Sequence, residues 1–214
     1  MDFLTIHNLL LRDPNLLLPL LDLSNMGEKH FDFYHVKSLD NNQSLVLPNE
    51  GKIIHVITGM LLQQISSKIE DKTYVNAIWQ EDDFIFHNVF QQGNYEYIGL
   101  GDVDIAVYDA NLVLQEVSKQ PFFTDLIIDI LKRQEQQFYL YSSMLTKSSE
   151  DRIIDILQRV SYKGHKGYHI PKIVNYRLLA KCCQVTPRTA KMKLEKLEKS
   201  NKIINFKENR ILLY

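Results

Sequence analysis

Short apolar runs separated by turn residues fill the first half of the chain. Asn41-Asn42, Gly59 and Gly93-Asn94 interrupt these runs, and residues of these types favour tight turns. Runs this short and this closely spaced are typical of a β-sandwich, a jelly roll or a small barrel. The pattern therefore predicts a β-rich domain of one of these kinds, with candidate strands at 31–37, 44–47, 53–57, 60–65, 73–79, 84–90, 95–100 and 103–108.

The apolar period becomes that of an α-helix after Asp109. A short helix is predicted before Pro121, and residues 122–147 predict one long helix of about 37 Å. Six positions along the long helix recur at alternating spacings of four and three: Ile127, Leu131, Gln134, Phe138, Tyr141 and Leu145. This spacing is that of a coiled-coil seam, so it predicts a dimer interface whose register the polar Gln134 fixes. The alternative is that the helix packs against the barrel.

Two helices joined by a tight turn fit residues 175–199. Asn175 is placed to cap the first helix, and Gln184-Val185 form the turn. Thr186 then caps the second helix with Pro187 at its first position, which supplies an acceptor for free amide groups and a ring without an amide hydrogen. The expected inward side chains are Leu178, Leu179, Cys182 and Cys183 on the first helix and Ala190, Leu194 and Leu197 on the second. These features predict a helix-turn-helix.

A preceding helix and a following hairpin extend this motif. Ser148 or Ser149 caps the preceding helix, whose apolar face includes Ile153 and Leu157. Residues 202–206 and 210–214 predict two short strands, which complete a winged helix-turn-helix. The alternative is a basic helical hairpin that contacts protein.

The outward side of the second helix and the hairpin carry side chains suited to DNA. Arg188 and Lys191 are predicted to contact base edges, and Met192 lies beside them on the same face. The predicted phosphate contacts are Thr186, Thr189, Lys193, Lys207 and Arg210.

Charge is divided unevenly along the chain. The net charge is -1, but residues 150–214 hold 15 Lys and Arg against 6 Asp and Glu, whereas the first 149 residues hold 10 against 20. A phosphate polymer is attracted by the basic part and repelled by the acidic part, as expected for a DNA-binding domain joined to an acidic regulatory domain. The alternative is chance clustering of surface charge.

Composition places the chain among ordinary globular proteins. Apolar residues make up 45% and charged residues 24%, the mean hydropathy is -0.21, and no 18-residue apolar run is present, which argues against a membrane span. The N-terminus does not match a signal peptide, because Asp2 precedes the leucines and Arg12, Asp13 and Pro14 interrupt them. The chain is therefore expected to be soluble and cytoplasmic, with no membrane partner.

Candidate chemistry for catalysis is sparse. Cys182 and Cys183 are too few for an iron–sulfur cluster or a structural zinc site, although they leave open a redox-sensing role. A cupin-like metal enzyme is the rival hypothesis, but its candidate ligands, His30, His35, His55 and His87, lack the required spacing. No nucleophile elbow or phosphate-binding glycine loop is present. We therefore expect no enzymatic activity, no cofactor and no metal; a dimeric scaffold that binds an acidic protein is a third hypothesis.

Four segments resemble the Crp/Fnr family of bacterial transcription regulators, in an order that covers residues 30–214. They are Ile53-Ile54-His55-Val56-Ile57-Thr58-Gly59, Trp79-Gln80-Glu81-Asp82-Asp83-Phe84, Leu114-Gln115-Glu116-Val117-Ser118-Lys119-Gln120-Pro121, and Arg152-Ile153-Ile154 with the following helix-turn-helix. The resemblance implies an α+β protein with a cyclic-nucleotide-binding-like β-roll in residues 1–110, a dimerisation helix region in 111–147 and a winged helix-turn-helix in 148–214. It implies a homodimer on a pseudo-palindromic double-stranded operator, with RNA polymerase as a further candidate partner.

The chain departs from the family where a cyclic nucleotide binds. Members that bind one carry a Gly-Glu pair and an arginine with a small hydroxyl residue, whereas here Phe86-His87 follow Ile85 and no arginine lies between Arg12 and Arg133. A buried phosphate needs a charge-assisted partner, and Lys68 and Lys72 are the only obvious nearby cations. No cyclic-nucleotide response is therefore expected. An aromatic set suggests instead either plain core or a pocket for an uncharged metabolite or peptide: Trp79, Phe84, Phe86, Phe90, Tyr95 and Tyr97.

The recognition residues also depart from familiar members. Pro187-Arg188 stand where those members have an arginine-glutamate pair, Met192 replaces a second arginine, and Gln184 stands where the turn often has glycine. The operator sequence is therefore expected to differ from the familiar one. The sequence does not distinguish an activator from a repressor, and it does not identify an effector.

Overall fold

A computed structural model describes residues 34–67, 72–89, 93–119, 121, 123–164, 167–204 and 211–212. The first half contains eight strands at the predicted places: β1 Tyr34–Leu39, β2 Ser44–Val46, β3 Lys52–Thr58, β4 Met60–Ser67, β5 Lys72–Gln80, β6 Phe84–His87, β7 Tyr95–Gly99 and β8 Val103–Asp109. Their apolar alternation and turn residues were therefore sufficient to locate them.

The eight strands form two antiparallel sheets with a shared core. The strand orders are β1-β8-β3-β6 and β2-β7-β4-β5, so strands distant in sequence pair, as Lys37 with Ile105. Between the sheets lie fully buried side chains from both, among them Ile54, Leu61 and Tyr97. The expected mixed α+β class with an antiparallel β-roll is confirmed.

The turn between β3 and β4 requires Gly59. Its φ is +84°, and a Cβ atom there would lie 2.6 Å from the carbonyl oxygen of Asp102. Any other residue would meet both the left-handed backbone and this backbone atom. Gly59 thus lets the chain pass from β3 in the first sheet to β4 in the second sheet.

Two helices follow the roll. They are α1 Ala110–Val117 and α2 Phe123–Leu145, and α2 agrees with the long helix predicted over 122–147. Ile130 of α2 is buried in a cluster with Ile53 and Tyr108, which lie on the outer face of the first sheet. No helix among the described residues is both long enough and apolar enough to cross a membrane.

The C-terminal part contains three helices and four short strands. They are α3 Ser149–Val160, β9 Tyr162–Gly164, β10 Gly167–His169, α4 Tyr176–Cys183, α5 Pro187–Lys199, β11 Ile203–Ile204 and β12 Ile211–Leu212, with a sheet order of β11-β12-β10-β9. The sequence analysis did not predict β9 and β10, because three residues with a glycine at one end give no alternation to detect.

The helix ends follow the predicted caps. Ser148 accepts a hydrogen bond from the amide of Asp151 at 3.2 Å, and Asn175 Oδ1 accepts from the amides of Arg177 and Leu178 at 2.9 and 3.1 Å. Thr186 Oγ1 accepts from the amide of Thr189 at 3.1 Å. Each side chain satisfies an amide that the helix itself leaves without a partner.

Removing the Asn175 cap is expected to weaken the C-terminal part. An Asn175→Ala variant loses the acceptor for two amides of α4, and the free energy of unfolding should fall by about 1 kcal/mol. Urea denaturation followed by circular dichroism measures this loss. Asn175→Asp keeps the acceptor and serves as the control; equal stability of the alanine variant and the wild type would show that the cap contributes nothing.

Candidate nucleic-acid interface and internal cavity

The turn between α4 and α5 is set by the backbone of Gln184. This residue adopts the left-handed conformation with φ 50° and ψ 50° and ends α4, and the amide of Val185 donates to the Ala180 carbonyl at 3.0 Å. Ala180 and Ala190 are both buried, and their small side chains allow the two helices to approach closely. The predicted helix-turn-helix is therefore present, with the turn at the predicted residues.

Helix α5 has one buried and one exposed side. Ala190, Leu194 and Leu197 are buried, and Arg188, Lys191, Met192 and Glu195 are exposed. Residues three and four apart share a helix face, so these four form one outward surface, which we name the α5 surface. It begins in the first turn of the helix, the part that a helix-turn-helix brings to base edges.

The residues predicted to contact phosphates have different partners in the structure. The hydroxyls of Thr186 and Thr189 lie 2.9 Å apart at the start of α5. Lys193 Nζ lies 3.5 Å from Glu150 Oε2, which also accepts from Lys196 Nζ at 2.6 Å. Lys193 is therefore ion-paired with the Glu150 carboxylate. The spacing of residues within α5 could not predict this pair, because Glu150 belongs to α3.

The two lysines change the pKa of the Glu150 carboxyl. The hydrogen bond from Lys196 and the positive charges of Lys196 and Lys193 lower its pKa.

The predicted phosphate contacts Lys207 and Arg210 lie outside the described residues, although β11 and β12 form the two strands of the predicted wing.

Hydrogen bonds hold this motif against the rest of the chain. Arg152 Nη1 donates to the Cys183 carbonyl at 3.0 Å, which ties α3 to the end of α4. Gln184 Nε2 donates to the Tyr141 hydroxyl of α2 at 2.9 Å. Gln80 Nε2 of β5 donates to the Arg159 carbonyl at 2.7 Å. These long-range pairs could not be read from sequence, because each joins elements that are far apart in the chain.

Apolar packing also joins the β-roll to the C-terminal part. Leu62, Val75 and Ile78 of the second sheet share one buried cluster with Leu157 and Leu179 of the C-terminal part. The outer face of the second sheet is thus covered by the helix-turn-helix region. Packing and hydrogen bonds together therefore hold the C-terminal part against the β-roll.

A cavity of about 520 Å³ lies between the β-roll and α2. Its walls include four of the six aromatic residues singled out in the sequence: Trp79, Phe84, Phe86 and Tyr95. Tyr97 instead lies in the core between the sheets, and Phe90 lies outside the described residues. The volume is within the range of small-molecule sites.

Amides, tyrosine hydroxyls, an indole and one arginine supply the polar groups of the cavity. Gln63 Oε1 accepts from Trp79 Nε1 at 2.7 Å, whereas Asn76 Oδ1 is buried without a hydrogen-bond partner. Arg133 lines the cavity, and its Nη1 atom lies 3.7 Å from Asp83 Oδ1. Burial raises the pKa of the Asp83 carboxyl. The cavity therefore offers a free acceptor and a guanidinium that already faces a carboxylate. Neither Asn76 nor Arg133 was found from sequence.

His87 is buried at the end of β6. Its Nδ1 lies 3.0 Å from the Tyr97 hydroxyl and its Nε2 lies 3.0 Å from the Pro48 carbonyl oxygen. Burial lowers the pKa of His87, which favours the neutral ring. Both ring nitrogens are therefore engaged inside the protein.

An exposed apolar strip follows the outer side of α2. It comprises Ile128, Leu131, Phe138 and Tyr139, with Phe138 73% and Leu131 50% exposed. We name it the α2 strip. Leu131 follows Ile128 by three residues, Phe138 follows Leu131 by seven and Tyr139 follows Ile128 by eleven, so these residues lie on one side of the helix.

The six seam residues predicted from the sequence divide between two environments. Leu131 and Phe138 lie in the α2 strip. Ile127 packs against the first sheet, Tyr141 and Leu145 pack against the C-terminal cluster, and Gln134 lines the cavity. One flank of the predicted seam is already covered by contacts within the chain. The exposed face of α2 is therefore centred closer to Ile128 and Tyr139 than the sequence predicted.

The two cysteines and His55 are packed inside the protein. Cys182 and Cys183 are free and buried, and burial raises the pKa of both thiols, that of Cys183 to about 12. His55 stacks on Phe84 at 4.4 Å, and His30 lies outside the described residues. In the part of the chain that the structure describes, no three His, Cys, Asp or Glu side chains are grouped as metal ligands.

No protein-family model and no curated protein sequence matches the chain. Solved structures of similar fold include three that cover most of this chain. A cyclic nucleotide-binding domain containing protein from Listeria monocytogenes EGD-e has a TM-score of 0.72 at 16% identity, with 92% of this chain and 96% of that chain covered. The c-di-GMP-responsive global regulator CLP from Xanthomonas campestris has a TM-score of 0.63 at 16% identity, with 85% and 94% covered.

The third structure is a transcriptional regulator of the CRP/FNR family from Thermus thermophilus. It has a TM-score of 0.62 at 12% identity, with 84% of this chain and 93% of that chain covered. The similarity thus extends over both the β-roll and the helix-turn-helix. The chain has the fold of the CRP/FNR-type regulators, and the resemblance drawn from its sequence is confirmed.

Proposed function

We propose that the chain is a sequence-specific DNA-binding transcription regulator that acts as a homodimer on a pseudo-palindromic operator. The α5 surface is the observation that carries this proposal. Arg188, Lys191 and Met192 project from the first two turns of a helix whose opposite side is buried. A helix of this kind fits the major groove, where an arginine pairs with guanine through two hydrogen bonds.

The charge distribution supports the same function. The basic part, with 15 Lys and Arg against 6 Asp and Glu, includes the whole helix-turn-helix. The positive charge would also attract an acidic protein partner. Such a partner would not require an arginine in the first turn of a capped helix whose outward face is exposed. The expected partner is therefore double-stranded DNA, and a contact with RNA polymerase stays a prediction.

The α2 strip supports the dimer. Four large apolar side chains on one side of a long helix are costly to leave in water, and a second copy of the same helix covers them by symmetry. Two helix-turn-helix units then face successive major grooves about 34 Å apart. The CRP/FNR-type neighbour is itself a transcriptional regulator.

In vitro selection from random duplex DNA tests this function. The purified chain, with no added ligand, is incubated with the library at about 0.15 M salt, where nonspecific attraction is partly screened. We expect an inverted repeat whose half-sites lie about one helical turn apart. Selection by an Arg188→Ala variant is the matched control, and equal enrichment of random fragments by both proteins would overturn the proposal.

We further propose that the cavity between the β-roll and α2 takes an uncharged, largely aromatic effector. Aromatic walls, the free Asn76 acceptor and a guanidinium already opposed by Asp83 favour such a ligand over a phosphate. Gln137 lines the same cavity and accepts a hydrogen bond from Arg159 at 3.1 Å, and Tyr141 holds Gln184. A ligand that moves these two side chains therefore changes the support of the helix-turn-helix.

Tryptophan emission reports on this cavity directly. Trp79 is the only tryptophan of the chain and lines the cavity, so an uncharged aromatic dye such as N-phenyl-1-naphthylamine should quench its emission on binding. Cyclic AMP should neither quench the emission nor displace the dye. An Ala77→Leu variant, which fills part of the cavity, should bind the dye more weakly; competition by cyclic AMP would contradict the proposal.

A further inference from the structure

An apolar side chain stands in the middle of the α5 surface. Met192 is 60% exposed, and its neighbours on this face, Arg188, Lys191 and Glu195, are charged. It lies two positions after Ala190 and two before Leu194, which places it about 200° around the helix from each of these buried residues. Met192 therefore points directly away from the core of its own domain.

This position is the one that approaches the floor of the groove. Met192 is the sixth residue of α5, which begins at Pro187, and so belongs to the second turn. It follows Arg188 by four residues, so both side chains leave the same side of the helix. Any DNA that Arg188 reaches is within reach of Met192.

We propose that Met192 reads the C5-methyl group of a thymine in the half-site. This inference rests on the proposed function and specifies the base that one side chain recognises. In the major groove only thymine among the four standard bases presents a methyl group, and apolar side chains recognise it by contact. A thioether has no hydrogen to donate, and its flexible, polarisable chain packs well against such a group.

The spacing also places the thymine. Four residues of an α-helix rise about 6 Å, and successive base pairs are about 3.4 Å apart. The thymine therefore lies about two base pairs from the guanine that Arg188 contacts. An arginine at position 192 would favour a second guanine there, so Met192 changes the half-site from guanine to thymine at that step.

Replacing thymine by deoxyuridine removes the methyl group and leaves the base-pairing hydrogen bonds unchanged. Each thymine of the selected operator is replaced in turn, and affinity is measured by fluorescence anisotropy at fixed salt. We expect one position in each half-site at which deoxyuridine weakens binding about fourfold, which corresponds to about 0.8 kcal/mol, the value of one buried methyl-sized group. The other thymines should show no such loss.

Two variants assign the effect to Met192. Met192→Ala should bind thymine and deoxyuridine operators equally, and Met192→Leu should keep most of the preference because it stays large and apolar. Circular dichroism and sedimentation should show both variants folded and dimeric, since the side chain is exposed. A deoxyuridine loss that persists unchanged in Met192→Ala would overturn the inference.

The inference and the function fail in different ways. If the selection yields an operator but none of its thymines is sensitive to the methyl group, Met192 does not read thymine and the regulator function stands. If the selection yields no operator, the proposed function is wrong and the inference falls with it.

Discussion

An Arg188→Ala variant should lose operator affinity by about 1 to 3 kcal/mol, which is roughly 5-fold to 150-fold. Arg188 is exposed in the first turn of α5, where its guanidinium can donate two hydrogen bonds to the O6 and N7 atoms of a guanine. The exposed position also means that the variant should fold normally. Titration of the selected operator and of a scrambled duplex, at two salt concentrations, measures the change.

Arg188→Lys is the matched control for this prediction. Lysine keeps the positive charge but cannot form the planar two-bond contact, so we expect nonspecific binding to be retained while discrimination at the guanine is reduced. An equal loss on operator and scrambled DNA in Arg188→Ala would show that Arg188 contacts only phosphate. In that case the affinity should recover fully in Arg188→Lys.

A Leu131→Glu variant should separate the dimer and abolish tight operator binding. Leu131 is half exposed in the α2 strip, so the substitution costs the folded protomer little, whereas two opposed carboxylates in an apolar helix contact are strongly unfavourable. Two linked half-sites bind far more tightly than one. We therefore expect a monomer in sedimentation velocity and a loss of operator affinity of about 100-fold or more.

Gln136→Glu is the control for the dimer prediction. Gln136 is exposed on α2 and is not one of the apolar residues of the α2 strip, so its substitution removes no apolar contact and should leave the dimer intact. A Leu131→Glu variant that sediments as the wild type would remove this helix face from the interface. Combining Leu131→Glu with Phe138→Glu would then decide whether any part of the α2 strip contributes.

Local signals in the sequence were sufficient for most of the fold. Asn175, Thr186 and Pro187 act within one turn of their own helix, and Gly59 acts within its own turn, so a short window holds all the information needed. The eight strands of the roll carry alternation strong enough to locate each one. The short strands β9 and β10 carry no such alternation; they are held by pairing with each other and by the pairing of β10 with β12.

The candidate interface could be predicted because it lies on one element, whereas for the cavity only aromatic wall residues were singled out from the sequence. The α5 surface follows from the period of a single helix, so Arg188, Lys191 and Met192 were identified from sequence. The environment of Lys193 depends on Glu150 in another helix, and the cavity depends on Asn76 and Arg133, which come together only after folding. The outward face of α2 likewise depends on which flank the β-roll and the C-terminal part already cover.

Titration of three duplexes by the purified chain tests the central claim of a dimer on an inverted repeat most directly. The first duplex carries the selected operator, the second has one half-site scrambled, and the third has its half-sites moved apart by five base pairs, which is half a helical turn. A dimeric regulator predicts two chains per intact operator and a strong loss of affinity on both altered duplexes. Equal affinity for all three, with one chain bound to each, would contradict it.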